Sequence, residues 1–460
     1  MSPLSFNLPS SLRVGFLLTL AATCAQAATF TWDGGGSDNN WETANNWNPN
    51  VAPSHSSDSH DFVFAGSTRL SAEANNGGWN LKSLTFSTTA GAFNLSGHVL
   101  SIGSGGVTNN SANTQTIQNQ LSFSDNQTWN AANGAIISTG YISANGKNLT
   151  ATGSSAVTIS GQINNAGTIN LSGSGNRTLG GAISATTVNI GSTGTNTFSS
   201  QLNVGTLNLS AGNNTFANVQ AGTGINVGGT ANANFTGPVT GGSNGISITS
   251  SGNVNFSGSI NSGSLTLNGT GTTTLSGSGS KSTGAVVVNS GTLILDQTGG
   301  GDAINNSLTV NSGGTVIFAG NNQVPEWQTV TLNAGSTLYL GDTTQTFASL
   351  VITGDSVIDF GSGGSQLNVT YGGINIANGI TITIVNWDAS AGDVFAGANP
   401  GAPVVNVQYA DSSGNIYATG TWGGGYVKPG SPVPEPATYG LMLLGAGVGL
   451  VAFRRRLNRK

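Results

Sequence analysis

Few side chains in this sequence are equipped for chemistry. His55, Asp58, His60 and Asp61 form its only His/carboxylate cluster, and zinc takes ligands of both types. They lie in or beside Ser54-His55-Ser56-Ser57-Asp58-Ser59-His60, a serine-rich stretch that reads as a solvated loop. No further strong ligand stands at a suitable spacing. Glycoside hydrolysis needs two carboxylates flanking one bond, and a pectin-type lyase needs carboxylates for calcium beside a basic residue. No Asp or Glu occurs between Asp125 and Asp296. Asp355 and Asp359 are close in sequence and read as surface positions. Phosphate loops, nucleophile elbows, zinc helices and calcium-binding Gly-Asp repeats are absent from the sequence. The chain is therefore expected not to be an enzyme, with no catalytic residues, no metal and no cofactor. A solenoid carbohydrate-active enzyme is the remotest alternative.

Trp32, Trp41 and Trp47 allow two readings. Flat aromatic rings among asparagines suit sugar rings, which would make this end a glycan contact and the protein a polysaccharide-binding adhesin. Large aromatics are more often core, and an open end of a stacked fold needs a lid. The lid is the favoured reading.

The termini carry addresses. Arg13 precedes the apolar run Val14–Ala22, and Ala25-Gln26-Ala27 fits a signal-peptidase site, with cleavage between Ala27 and Ala28. Cys24, the only cysteine, would leave with the signal, so the exported chain is expected to hold together without disulfides. At the other end, Pro434-Glu435-Pro436 precedes an apolar run of 17 residues, Ala437 to Phe453. Arg454, Arg455, Arg456, Arg459 and Lys460 follow. As a helix the run is about 25 Å long, slightly under a bilayer core of about 30 Å, so snorkelling arginines must close the gap. The basic cluster is expected to stay cytoplasmic, leaving the long preceding region outside the inner membrane.

This three-part tail resembles the PEP-CTERM sorting signal. The resemblance covers only about the last thirty residues, with all three parts in order. It implies recognition by an exosortase-type membrane protease and removal of the helix and basic tail. The alternative is a permanent anchor whose prolines only punctuate a helix start.

The region between the ends must be built from very few charges. Charged residues make up 6% of the 460, against roughly 25% in an ordinary soluble domain. Glycine fills 71 positions. The net charge of −5 excludes a basic nucleic-acid footprint, and 37% hydrophobic residues exclude polyelectrolyte disorder. Over residues 28–433, six basic residues face sixteen acidic ones, which suits an extracellular matrix better than an anionic membrane.

A repeat explains the composition. Val286-Val287-Val288-Asn289, Leu308-Thr309-Val310-Asn311, Val330-Thr331-Leu332-Asn333 and Leu350-Val351-Ile352-Thr353 are each followed by a Gly/Ser turn and a second alternating run. Their polar corners step by 22, 22 and 20 residues. Such a unit cannot bury its own apolar face, whereas stacked copies can. Parallel stacking sets like positions about 4.8 Å apart, so corner Asn, Ser and Thr meet their copies, and like charges would collide. The expected fold is all-β, a right-handed parallel β-solenoid with capping modules, plus an N-terminal signal helix and a C-terminal transmembrane helix. Gly271–Gly277 with Gly284–Leu295 resembles the autotransporter-associated β-strand repeat, which implies an extended extracellular stalk.

The expected organisation is a signal peptide at 1–27, a Trp-rich β cap at 28–98 and solenoid repeats at 99–365. A C-terminal β module at 366–427 follows, then a linker with the Pro-Glu-Pro motif at 428–436. The transmembrane helix at 437–453 and basic tail at 454–460 end the chain. The expected function is that of an exported, non-enzymatic surface or exopolysaccharide-matrix protein. Its expected partners are the exosortase-type protease, the membrane before processing and an exopolysaccharide, with no nucleic acid.

Overall fold

Strands that alternate apolar and polar residues bury one face and leave the other to solvent. Val286 and Val288 point inward while Val287 lies at the surface, and the same alternation recurs along the chain. In the computed structural model, which describes residues 28–55, 60–397 and 406–432, these strands stack into a parallel β-solenoid of about 16 turns. Among the described residues 39 strands are joined in one sheet, and helix is limited to short turns such as Ala44–Asn46.

Each turn contributes strands to three faces. Ile142, Ile163, Ile183 and Leu202 line the interior of the first face. Ile169, Val188, Leu207, Ile225, Ile246 and Leu265 line the second. The third carries a column of rings, Phe198, Phe216, Phe235 and Phe256, with centroids 4.8, 5.0 and 4.6 Å apart. The corners behave as the repeat predicted. Asn289 Nδ2 donates to Asn268 Oδ1 at 2.6 Å, Asn311 donates to Asn289, Asn333 to Asn311, and Thr353 to Asn333. A second ladder joins Asn170, Asn189, Asn208 and Asn226 at 2.8–2.9 Å. Gly291 follows one corner at φ +72°, and a Cβ there would lie 2.4 Å from the Gly269 carbonyl oxygen, so only glycine fits.

The parallel ladder is longer than its recognisable repeat. Thr29–Trp32 pairs in parallel with Asp61–Phe64, and Asp61–Phe64 in turn with Ser83–Phe86. The expected N-terminal cap therefore already contains solenoid turns, and the lid proper is the loop from Asp33 to Asn48. At the other end Gln366–Ile376, Ile382–Val385, Val394–Gly397 and Val407–Ala410 also continue the parallel register. At this end only Ile416–Gly423 and Tyr426–Pro432 run antiparallel and close the stack. The expected flexible linker thus begins later, because Lys428 to Pro432 belongs to the last strand. Turns vary from 17 residues (Leu202 to Val219) to 28 (Gln366 to Val394) and, at the first turn, 32 (Phe30 to Phe62), which blurs the repeat outside 265–353.

Two cations are folded into the interior without a carboxylate. Arg177 is fully buried and donates from Nη1 to Ser155 O and Asn176 O, and from Nη2 to Gly153 O and Ser172 O, at 2.6–3.0 Å. Lys281 Nζ donates to the carbonyls of Gly258, Ser276 and Gly279. Both donate to clusters of corner carbonyls, and several of those carbonyls accept nothing else from the backbone.

Burial holds the Lys281 pKa below its ordinary value. The unfolded chain then keeps its proton to higher pH than the folded one, so this residue's contribution to stability rises with pH towards about 10.4. Wild type is expected to gain stability relative to Lys281→Met between pH 8 and 10, read as urea midpoints. A pH-independent difference would show that the lysine titrates normally. The window stops at 10 because above about 10.4 the unfolded lysine loses its proton too and the difference stops growing.

Candidate functional site

The tryptophan end is closed. Trp32, Trp41 and Trp47 are fully buried, and Trp47 lies 5.1 Å from Trp32 and 5.9 Å from Trp41 in edge-on contacts. Trp41 also packs on Trp79 and Phe62. Trp47 Nε1 donates to Trp41 O at 2.7 Å. No ring face is left for a sugar, so these residues form a lid over the first turns, the favoured reading, and not the alternative glycan contact.

The His/carboxylate residues are divided among separate partners. His55 stacks on Trp79 at 3.8 Å and meets Glu42 through Nε2 at 3.0 Å. Hydrogen bonds from Asn76 and the His55 contact, outweighing its partial desolvation, hold the Glu42 carboxyl below its usual range. His60 packs against Phe30, while Asp61 accepts from Ser83 Oγ at 2.5 Å and pairs with Lys82 at 3.4 Å. Asp58 lies outside the described residues. Among the described residues no three His, Cys, Asp or Glu side chains gather as a metal site.

The late carboxylates are turned to corner backbone. Asp355 accepts from Thr381 N, and Asp359 from Gly361 N and Asn386 Nδ2. Asp342 accepts from the N–H groups of Ser362 and Gly363, and those bonds with the Ser362 hydroxyl pull its carboxyl down. Asp393 accepts from Ser365 N and Asp388 N, yet burial raises it above the ordinary range.

The C-terminal β module was expected as a cap; the hairpin that does the capping was not. Ile416–Gly423 and Tyr426–Pro432 form a hairpin laid over the last turn. Val427 and Ala418 are buried beneath it, and Trp422 Nε1 donates to Gly397 O. Thr421 pairs with Lys428 and Gly423 with Tyr426, which puts Thr421, Tyr426 and Lys428 on the outer side. Beside it lies a cavity of about 400 Å³ lined by Trp387, Phe395, Tyr426 and Val427 among others. The turn Asp411-Ser412-Ser413-Gly414-Asn415 was the available signal: Asp411 accepts from Ser413 N and Asn415 N, as turn-forming aspartates do.

This hairpin delivers the chain at Pro432 to the tail. Residues 432–456 match the PEP-CTERM protein-sorting motif. The motif implies export and processing by an exosortase at the membrane on the way to the cell surface. Pro434, Glu435, Pro436, the run 437–453 and the basic residues Arg454, Arg455, Arg456, Arg459 and Lys460 lie outside the described residues, as does the bond between Ala27 and Ala28 on its Ala27 side. Among the described residues no helix is long and apolar enough to cross a membrane. No curated protein and no solved structure matches the chain.

Proposed function

We propose that the protein is a non-enzymatic rod of the cell surface or extracellular matrix, held at the inner membrane by its tail until an exosortase-type protease releases it. The observation that carries the reading is the placement of the sorting motif directly after the strand that closes the solenoid. The body can complete its fold without the tail, so cleavage there costs the solenoid nothing. The likeness of 271–295 to autotransporter-associated β-strand repeats supports the stalk role. The non-enzymatic reading is supported by the carboxylates Asp342, Asp355 and Asp359, each of which has at least one oxygen held by corner donors.

The matrix partner is read as a neutral exopolysaccharide. Between Asp125 and Asp296 the charged residues are Lys147, Arg177 and Lys281, and the last two are buried. That leaves several turns of hydroxyl and carboxamide surface with one charge, which neither attracts nor repels a charged polymer. The deciding experiment is the intact mass of the protein from fractionated cells. A chain beginning at Ala28 and ending near Pro434–Pro436, in the surface or medium fraction, is the expected result. A chain that keeps Lys460 in the inner membrane would leave a tethered periplasmic rod.

A further inference from the structure

Large apolar side chains are hidden almost everywhere in this solenoid. Among the described residues the exposed ones are Val51, Trp327, Tyr371, Ile416, Tyr417 and Tyr426. The last three belong to one hairpin, and Tyr426 and Ile416 are 48% and 44% exposed. That hairpin is also where the chain leaves for the membrane. From Pro432 to Ala437, where the apolar run begins, there are five residue steps. Even as extended polyproline they reach only about 16 Å. The headgroup layer adds roughly 5–7 Å on each side of the hydrocarbon. While the tail is attached, the hairpin is therefore confined to the edge of the bilayer.

We infer that the outer face of this hairpin, carrying Tyr417 and Tyr426 with the exposed Ile416 at the start of the same strand, docks on the zwitterionic phospholipid interface while the tail is uncleaved. Tyrosine is the residue type that settles at headgroup level, its ring in the apolar boundary and its hydroxyl in water. The charges around the patch choose the lipid. Lys428 faces outward, but Asp388 and Asp411 are exposed nearby and Asp393 lies beneath the same strands. Three carboxylates against one ammonium disfavour an anionic surface and leave apolar and dipolar contact as the attraction. Docking presses the closed end of the rod against the membrane and holds the Pro-Glu-Pro segment at the depth where a membrane protease works. The inference rests on the reading of 437–453 as a membrane segment.

The test uses the full chain with Cys24→Ser, so that one introduced cysteine is the only thiol. Thr421→Cys places a fluorophore on the outer face of the hairpin, and Ser251→Cys places one in mid-solenoid. Each protein is reconstituted into phosphatidylcholine vesicles containing a lipid with a nitroxide headgroup. The Thr421→Cys label is expected to be quenched several-fold more than the Ser251→Cys label. Tyr417→Ser with Tyr426→Ser should lower it clearly, to the level the tether alone sets above the Ser251→Cys label, and Tyr417→Trp with Tyr426→Trp should keep it high; quenching unchanged by the serines overturns docking. Exchange of phosphatidylcholine for phosphatidylglycerol should weaken it. Equal quenching of the two labels on protein that floats with the vesicles overturns docking and leaves the sorting reading intact. Protein that does not float overturns the membrane segment itself, and docking with it.

Discussion

Replacing Phe235 with alanine is expected to lower stability by about 3–5 kcal/mol, near the top of the range for a single core substitution. The ring has no exposed surface and lies between Phe216 at 5.0 Å and Phe256 at 4.6 Å, tilted by 15° and 4°. Two near-parallel contacts are lost at once, each contributing about 0.5–1.5 kcal/mol beyond area burial. Collapse cannot fill the hole, because the turns above and below are pinned by the strand ladder and by Asn255 Nδ2 donating to Asn234 Oδ1. A solenoid couples only nearest neighbours, so the damage is expected to stay local. Hydrogen exchange should lose protection over the turns around 213–275 well before 286–360 is affected, and urea unfolding should split into two phases. Phe235→Leu, which keeps most of the volume, should cost under about 1.5 kcal/mol. A Phe235→Ala protein within 1 kcal/mol of wild type would mean that the ring column is not what ties these turns together.

The solenoid was readable where its turns are equal. From Val286 to Phe360 the alternating runs, the corner Asn and the following glycine recur at nearly constant distance, and each feature has a separate physical cause that points to the same stacking. The same ladder at Thr29–Trp32 was not readable, because the long excursion from Asp33 to His60 separates two strands that pair directly. Tryptophan content then made a distinct module of what is the first part of the stack. Gln366–Ile376 escaped for the related reason that its corner spends extra residues, with Phe347 pairing Val369 but Ser349 pairing Gly373. Arg177 and Lys281 follow no pattern of sequence, since their burial depends on corner carbonyls of their own turn and of the turn beside it. The sorting signal is contiguous and needs no fold to be seen. The exposed hairpin face is the opposite case: Tyr417 and Tyr426 alternate like any core strand, and they lie outside only because no further turn stacks on them.

Replacing Pro434, Glu435 and Pro436 together by alanine is expected to abolish release almost completely. The full-length chain should then accumulate in the inner membrane with its fold unchanged, because the solenoid is already closed at Pro432 by the pairing of its last strand with Ala418. A permanent anchor would give a different result, since three alanines continue a helix at least as well as the native residues and membrane retention would match wild type. Neutralising Arg454, Arg455, Arg456, Arg459 and Lys460 to glutamine addresses the other half of the tail. Seventeen apolar residues reach about 25 Å across a core of about 30 Å, so the run depends on the arginines to hold its cytoplasmic end at the interface and to fix its direction. Without them the unprocessed chain should appear in the soluble exported fraction rather than in the membrane. The two variants therefore fail in opposite compartments if the tail is both a stop and a cleavage signal. If it is only a stop, the first behaves as wild type and the second alone is lost from the membrane. Mass spectrometry of the two fractions separates these outcomes, because only cleavage within the motif removes Lys460 while leaving the last strand of the solenoid whole.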